Sequence, residues 1–116
     1  MRNVVKRRPA VLLLAALLTT QANGAFVTGT VLLERLKGDV AEKNNAIGYI
    51  VAIADEGEDK SRPQPRGTCF SIPNGVPSGE LAERVRKFLD RNPAIRGDVA
   101  SNLVKASLSE AFPCRK

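Results

Sequence analysis

The sequence predicts an all-α fold, a small single-domain bundle of about four helices with one long proline-rich loop, stapled by one disulfide. Three observations predict it. Apolar residues recur at helical spacing in four stretches; prolines and glycines gather in one connection; and two cysteines, Cys69 and Cys114, follow an amino-terminal segment with the layout of an export signal.

In that segment Arg2, Lys6, Arg7 and Arg8 precede an unbroken run of Ala, Val and Leu over residues 10–18, and the small residues Ala22, Gly24 and Ala25 follow. This is the order of a secretory signal peptide. It assigns residues 1–24 to the signal, with cleavage before Ala25 favoured and after Ala22 second, and residues 25–116 to one mature domain. The apolar run is far shorter than the roughly 20 residues of a membrane-spanning helix, so stable membrane insertion after cleavage is not expected. An uncleaved membrane segment is the alternative. The mature chain is expected to be exported to an oxidising compartment.

The whole chain carries 18 basic and 12 acidic residues, but four of the basic ones lie in the signal, leaving 14 against 12. The high sequence pI of about 9.8 therefore belongs mostly to a segment that is removed. Nucleic acid is not an expected partner, because the mature excess is small and aromatic residues are few. A mature domain of about 92 residues supports only a thin core, so a cross-link would matter.

The elements follow in order. Val27, Val31, Leu32 and Leu36 mark a short first helix, with Thr28 available as N-cap and Gly38 as a stop. Asp39 can cap a second helix over 40–56, whose apolar stripe is Val40, Ile47, Ile50, Val51, Ile53 and Ala54. Residues 47–53 are rich in β-branched side chains and admit a buried strand as the alternative; the length of the pattern favours helix. Residues 57–77 hold Pro63, Pro65, Pro73 and Pro77 with Gly57, Gly67 and Gly75, which predicts a long loop. Ser78 or Pro77 opens a third helix with Leu81, Val85, Phe88 and Leu89 inward and Arg84, Arg86, Lys87 and Arg91 outward, ended by Asn92-Pro93. A fourth helix is expected over 97–112, with Val99, Leu103, Val104, Leu108, Ala111 and Phe112 on one side and Asp98 in its first turn.

Cys69 and Cys114 are read as a disulfide that ties the middle of the long loop to the carboxyl terminus. An oxidising compartment favours the bond, and two buried thiols are the alternative. The chain-entropy model gives such a closed loop of about 46 residues roughly 4 kcal/mol as an upper figure. No metal is expected, since the chain has no histidine and no C-x-x-C pair. No cofactor is expected either. Without histidine the commonest general base is missing, and cysteines in a disulfide supply no thiolate, so the chain is not read as an enzyme and no catalytic residue is assigned. The acids Asp55, Glu56, Glu58 and Asp59 lack the alternating ligands of an EF-hand. Their ordinary reading is a solvated helix end. Because negative charge at a helix carboxyl end opposes the macrodipole, they are also the candidate partner-binding residues. Tyr49 is read as a core tyrosine, and the basic side chains of the third helix as a solvated face.

Several segments, in their order, carry a family resemblance: Thr28-Gly29 and Leu32-Leu33-Glu34; Gly48-Tyr49-Ile50 and Ala54-Asp55; Cys69 with Ile72-Pro73-Asn74-Gly75-Val76; Val85 to Leu89 with Asn92-Pro93; and Glu110-Ala111-Phe112-Pro113-Cys114. The chain resembles the Rap/Tai family of immunity proteins over nearly all of its mature length. The resemblance implies a periplasmic helical protein that binds and inhibits a peptidoglycan-cleaving amidase effector of a type VI secretion system by occluding its active site. It also implies a homodimer as an assembly to test. Family members commonly carry two further cysteines, where this chain has Leu36 and Ala46, which leaves Cys69 and Cys114 as the other pair. The competing reading is an exported periplasmic protein of the same fold with a different binding or structural role.

Overall fold

The computed structural model describes residues 26–58 and 69–114. It contains α1 (Gly29–Leu36), α2 (Val40–Gly57), α3 (Ser78–Arg91) and α4 (Ala100–Ala111), with a 3-10 turn at Pro93–Ile95. Among the described residues the extended pairings are two isolated antiparallel bridges, Thr28 with Val99 and Phe70 with Pro113. The all-α expectation is met. The signal segment lies outside the described residues.

Local chemistry sets the helix starts. Thr28 accepts a hydrogen bond from the Val31 N–H at 3.3 Å and so caps α1. Asp39 opens α2 with a reciprocal pair: its carboxylate accepts from Glu42 N–H at 2.9 Å, and the Glu42 carboxylate accepts from Asp39 N–H at 3.3 Å. This cap commits residues 47–53 to an 18-residue helix and removes the strand alternative.

The stripe of α2 is narrower than the pattern suggests. Ala46, Ile50 and Ala54 are its buried row, while Ile47, Val51 and Ile53 are half-buried and Val40 is 76% exposed. Val40 sits in the first turn of α2, on its solvent side. Tyr49 is half-buried and packs against the core margin. In α3 the expected positions Leu81, Val85, Phe88 and Leu89 are all buried, joined by Ala82. Each helix touches the other three. Leu32, Ile50, Val85, Leu89, Val104 and Leu108 form the fully enclosed centre. Burying each such side chain favours folding by about 1.5–3 kcal/mol.

The fourth helix starts three residues later than expected, at Ala100, and Asp98 lies before it rather than in its first turn. The reason is tertiary. Gly29 N–H donates to Asp98 O at 3.0 Å, Thr30 N–H donates to Arg96 O at 2.9 Å, and Ala100 N–H donates to Val27 O at 2.7 Å. Residues 96–98 are thereby spent on the open amides at the start of α1, which would otherwise lack partners. The approach is close. A Cβ on Gly29 would stand 2.5 Å from Leu103 Cδ1 and 3.0 Å from Arg96 O.

Arg96 works at two helix ends. While its carbonyl accepts from α1, its guanidinium donates Nε–H to Leu89 O at 2.7 Å and Nη2–H to Asp90 O at 3.0 Å, capping α3. A cation at a helix carboxyl end is also favoured by the macrodipole. Nearby, Lys37 reaches Asp90 at 2.9 Å, and Arg86 bridges Asp90 at 2.8 Å and Glu83 at 2.5 Å. The hydrogen bond from Lys37 holds the Asp90 carboxyl below its ordinary range, and the one from Arg86 does the same for Glu83.

Arg96→Ala is expected to destabilise the fold by about 1.5–3 kcal/mol, the cost of losing charge-assisted bonds to the Leu89 and Asp90 carbonyls, and thermal denaturation reads it. Arg96→Lys should recover only part, because an ammonium cannot reproduce the two-pronged contact. Because Asp90 and Glu83 titrate lower in the folded than in the unfolded chain, their contribution is full above the ordinary carboxylate range and disappears as pH falls through their depressed values. A double variant Glu83→Gln, Asp90→Asn should therefore show a flatter acid limb in melting temperature against pH than the parent chain.

Candidate functional site

The end of α2, the return of the long connection and the carboxyl terminus meet in one junction. Gly57, in the last turn of α2, receives the ring of Phe70 so closely that a Cβ there would overlap it. Phe70 is buried, with 4% exposure, and pairs as a bridge with Pro113. Ser71 N–H donates to Phe112 O at 2.9 Å, and Ile72 N–H donates to a carboxylate oxygen of Glu58. The Cys69–Cys114 disulfide locks the outer edge of the junction, with Cα atoms 5.6 Å apart, inside the ordinary range for such a bond. Beyond it, Gly75 takes φ of +88° in the turn at Asn74-Gly75, a backbone state open to glycine and strained for most side chains.

The four acids chosen from sequence are placed differently from one another. Asp55 and Glu56 are exposed on the last turn of α2. Glu58 is half-buried and serves the junction through Ile72, so its charge at an unfavourable helix end has a structural use. Asp59 lies outside the described residues, as do residues 60–68 of the loop. No basic residue stands in the last turn of α2 to offset the acids.

The basic row of α3 also divides. Arg84, Lys87 and Arg91 are exposed, whereas Arg86 is half-buried and held by Glu83 and Asp90. Sequence reasoning assigned all four to a solvated face. The charge pattern alone held the signal for Arg86, since Glu83 and Asp90 lie at i−3 and i+4 from it. It also passed over Phe70, whose burial depends on Gly57, a partner 13 positions away. Among the described residues no group of His, Cys, Asp and Glu could hold a metal ion, and no helix is long and apolar enough to cross a membrane.

A family model described as Rap1a immunity proteins matches residues 28–114. The chain belongs to the Rap1a immunity protein family. The match opens at the N-cap of α1 and closes on the second cysteine of the disulfide, so it takes in all four helices and the junction. No curated protein and no solved structure matches the chain. Membership of an immunity family implies a protein whose work is to bind an effector. Leu36 and Ala46 are both buried in the core, at 4% and 0% exposure.

Replacing Cys69 and Cys114 together by Ser should lower stability by about 2–4 kcal/mol in urea unfolding, the usual range for a bond closing a loop of this length. The exported parent protein should in turn show no free thiol by mass spectrometry under non-reducing conditions.

Proposed function

We propose that this chain is a periplasmic immunity protein that binds and inhibits a peptidoglycan amidase delivered by a type VI secretion system, protecting the producing cell by occluding the enzyme's active-site groove. The observation that carries the reading is the family match, which spans the whole disulfide-closed domain. Occlusion acts by excluded volume and electrostatic fit, so it asks no chemistry of the inhibitor. The amino-terminal segment supports the compartment: residues 1–24 are removed as a signal, with the cut before Ala25, and residues 25–116 work in the periplasm. The disulfide accords with that oxidising location.

The surface we assign to the effector is the exposed acidic last turn of α2, Asp55 and Glu56, to which the sequence adds Asp59. Phe70 on Gly57 and the Ile72 amide on Glu58 fix the end of α2, which preorganises this edge and lowers the entropy lost on binding. Glu58 belongs to the scaffold under the same edge. The reading carries a homodimer as its assembly, which light scattering on the purified chain would register.

Co-production of a candidate amidase in the periplasm should lyse cells alone and leave them intact when this protein is present; lysis in both cases overturns immunity to that enzyme. Asp55→Ser with Glu56→Ser should weaken effector binding about three- to tenfold, mainly through the association rate, with little change in melting temperature. Glu58→Ser should instead lower the melting temperature, because the Ile72 amide loses its acceptor.

A further inference from the structure

Between α3 and α4 lies a cleft of about 240 Å³ lined by Arg84, Lys87, Arg91, Ser107, Glu110 and Ala111. Three cations face one acid there. That acid, Glu110, is already engaged with Arg91 at 3.1 Å, and Arg84 leans over the Phe112 ring at 5.7 Å with a loose pairing to Glu80 at 3.7 Å. Lys87 forms no ion pair among the described residues and acts on Glu83 only at a distance. The cleft therefore keeps an excess of positive charge, which concentrates anions there.

Ser107 supplies the second observation. It is 2% exposed, and its hydroxyl has no hydrogen-bond partner. Serines in helices commonly turn the hydroxyl back to the carbonyl four residues earlier, and Ser109 does so, donating to Lys105 O at 2.8 Å. Ser107, on the same helix and two residues away, does not. A buried hydroxyl without a partner is costly, and here it borders a cationic cleft in which an incoming acceptor would satisfy it.

The spacing selects the form of the anion. Residues 84, 87 and 91 lie along one face of α3 and span about 10 Å of helix axis. Carboxylates on alternate residues of an extended peptide are about 7 Å apart, so two of them fit the row, whereas a single compact anion meets only part of it. We propose that the α3–α4 cleft is a docking site for an acidic peptide segment of a protein partner, with two carboxylates one residue apart received by Arg84, Lys87 and Arg91 and one carboxylate oxygen accepting from the Ser107 hydroxyl. The proposal rests on the reading that this chain works by binding a protein, and on no particular effector. The acidic edge at Asp55 and Glu56 plays no part in it.

The test is titration of the mature, disulfide-bonded chain by nuclear magnetic resonance with an acetylated, amidated Gly-Glu-Gly-Glu-Gly peptide, its Gln counterpart and inorganic phosphate. The Glu peptide should shift amides of residues 84–91 and 107–111 saturably, and the Gln peptide should not. Arg84→Gln with Lys87→Gln should weaken it about tenfold, with the salt dependence reduced. Ser107→Ala should weaken it about threefold while leaving the melting temperature unchanged or higher, a combination that a purely structural serine would not give. Shifts spread equally over Arg35, Lys43 and Lys105, unchanged affinity in the double variant, tighter binding of phosphate, or no saturable binding would each overturn the site. None of these results depends on whether an amidase is the effector.

Discussion

Phe70 against Gly57 is the contact on which the carboxyl-terminal half of this domain depends. A disulfide between Cys69 and Cys114 joins the loop's return to the terminus, but it ties neither of them to α2. That second connection is made by a ring seated on a residue without a side chain, and by Glu58 accepting from the Ile72 amide. The covalent bond limits how far the segments can separate. The apolar contact decides where they sit, and the bridge between Phe70 and Pro113 sets their register.

A comparable division holds around α1. This helix has only eight residues, too few to persist alone, and its first amides are satisfied by carbonyls of Arg96 and Asp98 rather than by its own turn. Its inner face, Leu32, Leu33 and Leu36, then closes the core. Leu36 and Ala46 belong to that enclosed set, so α1 and α2 are joined there by apolar burial, whose strength does not change with redox conditions.

Helical spacing and caps made much of this legible in the sequence. Thr28, Asp39 and the inward row of α3 could be read directly, because caps and amphipathic faces are local properties. The disulfide was legible for a different reason, since two cysteines allow one pairing. What escaped was set by contacts between distant segments. The late start of α4 follows from amides of α1, and Val40, though on the apolar pattern, faces solvent. The candidate acids looked equivalent as a run, and only the approach of Ile72 distinguishes Glu58 from Asp55 and Glu56.

The junction has a consequence for loop length. With Glu58 and Phe70 both engaged at the end of α2, the two borders of the intervening stretch are anchored by interactions that none of its own residues supplies. Closing a longer insert between such anchors is cheap, since doubling the length of a flexible loop adds only about 0.6 kcal/mol. Insertions between those borders can thus be accommodated at small thermodynamic cost so long as Cys69 keeps its bond to Cys114, which leaves the length of that stretch open to change while the core stays as it is.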